Sequence, residues 1–154
     1  MESKTKITAE VGKQEIVINR NFELPVELLF KAYEESGIIE QWMGTKVLHL
    51  EPKTNGSYLF ETTDPHGNKH RFRGVIHEFQ KNERIIRTFE MESNGFGVQL
   101  EIYAFEKLTE NTSRLRQQMI YQSVTLRDEN LKLPFAQGIN WAHNRLEEII
   151  SRRK

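Results

Sequence analysis

Chemistry needs particular side chains at particular spacings, and this sequence supplies few such patterns. Cysteine is absent, which excludes thiolate nucleophiles, disulfides and zinc sites built on sulfur. Aspartate stands only at Asp64 and Asp128, so a mechanism that requires one has two candidates. His66 and His70 flank a turn and could share a metal only if the loop folded back on itself; with no carboxylate or cysteine ally they read as surface side chains. His143 stands at the border of an apolar helical stripe, where it can cap the mouth of a cavity. Gly95-Phe96-Gly97 lacks the third glycine and the strand-to-helix context of a phosphate-cradling loop, and no serine occupies a Gly-x-Ser-x-Gly elbow. The residues therefore point to no catalytic set, no metal site and no cofactor. In an enzyme reading the general base is Glu78 or His143, the glutamate because an apolar enclosure raises a carboxyl pKa.

The elements that must position these side chains are legible as alternating turn signals and short apolar runs. Residues 15–22, rich in Ile and Val, read as a strand. Pro25 suits the first position of a helix, and Val26, Leu29, Phe30 and Tyr33 follow at helical spacing until Ser36-Gly37 closes it. A short apolar stretch, 38–43, carries Trp42 and ends at Gly44. From residue 46 the pattern is almost all strand: 46–50, 58–62, 69–79, 84–91, 98–105 and 114–121, with turns such as Asn55-Gly56 and Asp64-Pro65-His66-Gly67-Asn68 between them. Links this short allow only antiparallel pairing. From about Pro134 a long helix aligns Phe135, Ile139, Ala142, Leu146 and Ile149 on one stripe, with Ile150 at its edge, Glu147 and Glu148 facing away, and Arg152, Arg153 and Lys154 at its end. Only a sheet offers enough surface to bury that stripe, which makes the fold class α+β: a curved antiparallel sheet of six to seven strands gripping a long C-terminal helix.

Alternation assigns the faces. Phe72, Gly74, Ile76 and Glu78 share one parity and Leu115, Gln117, Met119 and Tyr121 another; in residues 98–105 the apolar set is Val98, Leu100, Ile102 and Ala104. These rows are expected to face the helix. Glu78, Gln117 and the Tyr121 hydroxyl then lie inward, where they either bond neighbours or orient a ligand. The expected cavity wall is Trp42, Tyr58, Phe60, Phe72, Ile76, Leu100, Met119 and Ile139, with Glu78, Gln117, Tyr121 and His143 as polar contacts, and the same apolar side chains could equally be ordinary core. The opposite stripe of Arg71, Arg73, Arg114 and Arg116, interspersed with Glu61, Glu90 and Glu101, reads as a solvated face.

The 154 residues suffice for one domain with a real core, expected over residues 13–154 behind a flexible arm, 1–12. Twenty-two basic and 22 acidic side chains cancel, which argues against duplex nucleic acid or an anionic membrane as partner. No apolar run reaches membrane-spanning length and the start lacks the apolar core of a secretory signal, so a cytoplasmic location is expected.

Asn19-Arg20-Asn21-Phe22 with Pro25-Val26-Glu27-Leu28-Leu29-Phe30-Lys31-Ala32, then Ile39-Glu40-Gln41-Trp42-Met43-Gly44, Arg73-Gly74-Val75-Ile76-His77-Glu78-Phe79 and Gly138-Ile139-Asn140-Trp141 follow one another in a recognisable order. That order, over about residues 13 to 152, resembles the START-like (SRPBCC, helix-grip) superfamily, and within it the family named after the activator of the heat-shock-protein-90 ATPase. The chain departs from the family's pattern in having Asn55-Gly56 for a Gly-Gly turn and Phe89 for a tryptophan. The resemblance implies two short helices after the first strand and a ligand cavity under the last helix. It implies three functions: binding of a small apolar or amphipathic molecule, stimulation of a heat-shock chaperone ATPase as a protein partner, or a polyketide cyclase-like or hydrolytic activity. The separate chaperone-contacting N-terminal domain of the eukaryotic activators is not expected within these residues.

Overall fold

Eight strands and four helices are present in the computed structural model, which describes residues 4–92 and 95–153. In chain order they are β1 (Lys6–Thr8), β2 (Glu15–Phe22), α1 (Val26–Glu34), α2 (Ser36–Met43), β3 (Lys46–Leu50), β4 (Ser57–Thr63), β5 (Lys69–Gln80), β6 (Arg84–Met91), β7 (Val98–Lys107), β8 (Ser113–Ile120), α3 (Val124–Leu131) and α4 (Phe135–Ser151). The strands form one antiparallel sheet in the order β1-β2-β8-β7-β6-β5-β4-β3. β3 to β8 follow one another across it as a meander; β2 joins at the far side against β8, and α1 and α2 span the gap to β3.

The helix-grip architecture is as expected, with one strand more. The segment taken for a flexible arm contains β1, whose Ile7 lies opposite Ile18 of β2 and packs on Ile16, Ile18, Met119 and Tyr121. Residues 1–3 and Lys154 lie outside the described residues. Ser36-Gly37 does not close α1: Glu35, in extended conformation, separates the two helices, and Ser36 and Gly37 begin α2, which ends on Gly44 in the left-handed region. α3 had no counterpart in the apolar pattern because the residues it buries are polar, Arg127 and Asn130. Its first turn is capped by the Ser123 hydroxyl, which accepts from the Leu126 amide at 3.1 Å.

α4 buries His143, Leu146 and Ile150, and its main backbone neighbours are α2 and α1. The core beneath them joins Leu29, Phe30 and Ala32 of α1 to Phe60, Phe72, Phe105 and Leu115 of the sheet. The outer stripe of arginines is a solvated ion-pair surface: Arg71 bonds Glu61, Arg73 bonds Glu90 and Glu92, and Arg114 bonds Glu106.

Gly74 marks a close approach in the middle of the sheet. It lies opposite Tyr58, whose ring crosses it and whose hydroxyl donates to the Thr88 carbonyl at 2.6 Å. A Cβ on Gly74 would stand 1.9 Å from that carbonyl oxygen and 2.7 Å from the tyrosine ring. Backbone and a pinned aromatic ring cannot both yield, so Gly74→Ala is expected to lower stability by about 2 kcal/mol or more, read as a reduced urea midpoint. An unchanged midpoint would contradict the contact.

Candidate functional site

A cavity of about 410 Å³ lies between the inner face of the sheet and α4, flanked by α1, α2 and α3. Its volume is in the range of small-molecule sites. Most of the wall is apolar. Ile39, Trp42 and Met43 come from α2, Phe60 from β4, Phe89 and Met91 from β6, Met119 from β8, and Phe135, Ile139 and Ala142 from α4. Trp42 is fixed by donating its indole N–H to the Ala32 carbonyl at 2.7 Å and by a ring contact with Tyr33.

One strip of this wall is polar. Along β7 the inward residues are Gln99, Glu101, Tyr103 and Phe105, all buried. Arg87 of β6 lies directly opposite Glu101 and donates from Nε to Glu101 Oε1 at 3.1 Å. Its Nη2 donates to the Tyr103 hydroxyl at 2.9 Å, and that hydroxyl donates to the same Glu101 oxygen at 2.9 Å. Gln117 Nε2 donates to the Tyr103 oxygen at 3.2 Å. The guanidinium lies over the rings of Tyr58, 4.5 Å to the centroid, and Tyr103, 5.0 Å. Burial pushes the hydroxyls of Tyr33, Tyr58 and Tyr103 upward, so each holds its proton and can donate.

Two polar atoms in the lining have no such partner. The Tyr33 hydroxyl and Gln99 Oε1 are both fully shielded and make no hydrogen bond. An unpaired buried group costs about 1–3 kcal/mol.

His143 closes one side. Arg20, itself buried, donates from Nη1 to Thr5 Oγ1 at 3.3 Å and to Asn144 Oδ1 at 2.7 Å, and from Nη2 to Glu147 Oε2 at 3.0 Å. The Thr5 hydroxyl, which receives from Arg20, is also hydrogen-bonded to His143 Nδ1 at 2.9 Å. Burial, aided by the charge of Arg20, lowers the His143 pKa to about 3. The histidine is therefore a neutral wall residue and a poor base near pH 7. Glu147, expected to face solvent, turns instead to Arg20.

Of the residues expected from the sequence, Trp42, Phe60, Gln117, Met119, Ile139 and His143 meet in the cavity wall. Tyr58, Phe72 and Ile76 are buried in the core beside it, and Tyr121 is buried with its hydroxyl accepting from Asn130 Nδ2 at 2.6 Å. Leu100 lies on the outer face, because β7 presents the opposite parity to the one its apolar residues suggest. Glu101, expected outside, is inside for the same reason. Glu78 is also outside: the β5–β6 register shifts between Ile76 and Glu78, so Phe79 turns inward against Phe30 while Glu78 pairs with Arg84 at 2.9 Å. The apolar enclosure required for Glu78 as a general base is therefore missing. His70 does have a carboxylate ally, its Nε2 donating to Asp64 Oδ2 at 2.9 Å, though no cluster of three metal-binding side chains occurs among the described residues.

Arg87, Glu101, Tyr103, Tyr33 and Gln99 were not anticipated. The available signal was the pair of opposite charges, Arg87 and Glu101, which the β6–β7 hairpin brings face to face.

Two outcomes follow for the site. Removing one partner of a buried pair leaves an uncompensated charge, so Arg87→Met or Glu101→Met alone should cost about 3–5 kcal/mol, whereas the double variant should cost far less. A double-mutant cycle in urea measures this, and additive losses would show the two charges to be uncoupled. His143 is neutral when folded and takes up a proton below pH 6.5 when unfolded. Its contribution is therefore complete above pH 6.5 and is lost as pH falls toward 3, at about 1.4 kcal/mol per pH unit. His143→Gln should lack that part of the slope between pH 6 and 4; identical slopes would refute the assignment.

The chain matches the family model described as activator of Hsp90 ATPase homolog 1-like protein over residues 23–151. No curated protein matches the sequence. Among solved structures, it is similar to a protein of Rhodobacter sphaeroides (18% identity, TM-score 0.86, covering 97% of this chain and 99% of that one). A Mycobacterium smegmatis protein shows 16% identity and a TM-score of 0.84, with 94% of each chain covered. A Chromobacterium violaceum protein shows 22% identity and a TM-score of 0.76, with 89% and 96% covered. At such identities the structures speak for the fold, and the match of the family model over most of the chain places this protein in the family of activator of Hsp90 ATPase homolog 1-like proteins.

Proposed function

We propose that this protein binds one small, largely apolar molecule in the cavity between the sheet and α4. The observation that carries this reading is the cavity itself: about 410 Å³ of space left open beneath α4, walled mostly by apolar side chains and crossed by one polar strip on β7. The apolar side chains supply the bulk of the affinity through burial, and the polar strip limits what is bound.

Two features support a site that admits its ligand from one end. Leu133, between α3 and α4, is half exposed, and Met43, Met91, Phe96 and Phe135 are each partly exposed while lining the same cavity. These side chains form an apolar rim. Elsewhere the wall is closed, the Tyr33 ring meeting those of Trp42 and Tyr103.

The family description favours a second reading, a direct effect on a heat-shock chaperone ATPase. It predicts altered turnover when the pure protein is added at saturating concentration to that ATPase, and unchanged turnover removes it.

The binding reading is tested by native mass spectrometry of the purified protein, followed by denaturation and identification of whatever is released. A stoichiometric small molecule is expected. Ala142→Phe, which fills the cavity from α4, should lose that molecule while keeping a cooperative melt at or above the wild-type temperature. Equal occupancy in wild type and variant would place the ligand elsewhere.

A further inference from the structure

Within the ligand-binding reading, on which this inference rests, the charges in the wall restrict what the ligand can be. Among the lining residues Arg87 is the one lysine or arginine and Glu101 the one carboxylate, and they are bonded to each other. Both are nearly solvent-free, with side-chain exposures of 12% and 4%. Arg87 donates to Glu101 Oε1 and to the Tyr103 oxygen, its charge is matched by the Glu101 carboxylate, and it lies over the rings of Tyr58 and Tyr103. Arg20, whose charge reaches His143, is likewise bonded to a carboxylate, that of Glu147. His143 is neutral.

We infer that the cavity selects a neutral molecule and rejects the carboxylate of the same shape. An arriving anion would leave water for a low-dielectric wall without gaining an unpaired cation, and it would stand near the Glu101 carboxylate. A neutral ligand loses little on desolvation. Fatty acids and aromatic acids are thereby disfavoured in a cavity whose apolar area would otherwise suit them, whereas amides, alcohols and phenols of similar bulk are accepted. Glu101 sets this preference: without it Arg87 is an unpaired cation in a dry site, which is what an anion requires.

The matched probes are 2-naphthamide and 2-naphthoate, which share a skeleton and differ in charge at pH 7. Isothermal titration calorimetry of the wild-type protein should give at least about tenfold tighter binding of the amide. In Glu101→Gln, measured well below its melting temperature, the ratio should fall and the carboxylate should become the better ligand. A wild-type protein that binds naphthoate as tightly as naphthamide overturns the charge selection while leaving the binding reading in place. If Glu101→Gln melts too low to titrate, that wild-type ratio still decides. A folded Glu101→Gln that keeps the wild-type ratio overturns the role given to Glu101. If neither probe binds and denaturation of the purified protein releases no molecule, the binding reading fails and the selection fails with it.

Discussion

A guanidinium held almost out of water dictates the arrangement of the inner sheet face. Arg87 projects from the middle of β6 toward the interior, and a charge in that position must be met on all sides or the fold loses several kcal/mol. Glu101 meets it from the neighbouring strand, Tyr103 from two residues further along, and the Tyr58 ring from two strands away on the other side. Each of these commitments has its own requirement. Tyr58 reaches across β5 because residue 74 has no side chain, and its hydroxyl stays occupied by the Thr88 carbonyl. Tyr103 keeps its oxygen fully bonded because Gln117 on β8 adds a second donor. One charge thus engages side chains on β4, β6, β7 and β8, and the absence of one at Gly74 of β5.

The same commitment explains why the helix and the sheet do not close on each other. A strand whose inner row reads Gln99, Glu101, Tyr103 cannot be covered by an aliphatic helix stripe without stranding polar atoms. α4 rests mainly on α1 and α2, and the space above β7 stays open. Cavity and ion pair are two aspects of one packing solution.

The fold was largely legible in the sequence because most of its elements obey simple periodicities. β2, β4 and β8 alternate buried and exposed residues for much of their length, and α4 carries the stripe that its spacing predicts. The cavity was half legible, and the missing half has particular causes. In β7 hydrophobicity selects Val98, Leu100, Ile102 and Ala104 as the inner row, yet the wall at that place is polar, so the inference inverted the strand. At Glu78 a one-residue register shift, invisible to any alternation rule, reverses the faces. α3 buries Arg127, whose Nη1 donates to the carbonyls of Glu10 and Glu15, a contact no local pattern encodes. Hydrophobic patterning finds walls made by exclusion of water and misses walls made by paired polar groups.

The three residues of β1 matter beyond the contacts they make. Without them β2, with the apolar Ile16, Val17 and Ile18 at its centre, would be the border of an open sheet and would offer its unpaired amides and carbonyls to any passing strand. β1 covers residues 17 to 19 and presents Lys6 at the new border. At the other border β3 is five residues long, begins with Lys46 and is broken by an irregularity between Val47 and His49. Short, charged and irregular borders make poor templates for cross-strand growth, so an open sheet is protected at both sides against assembling into fibres.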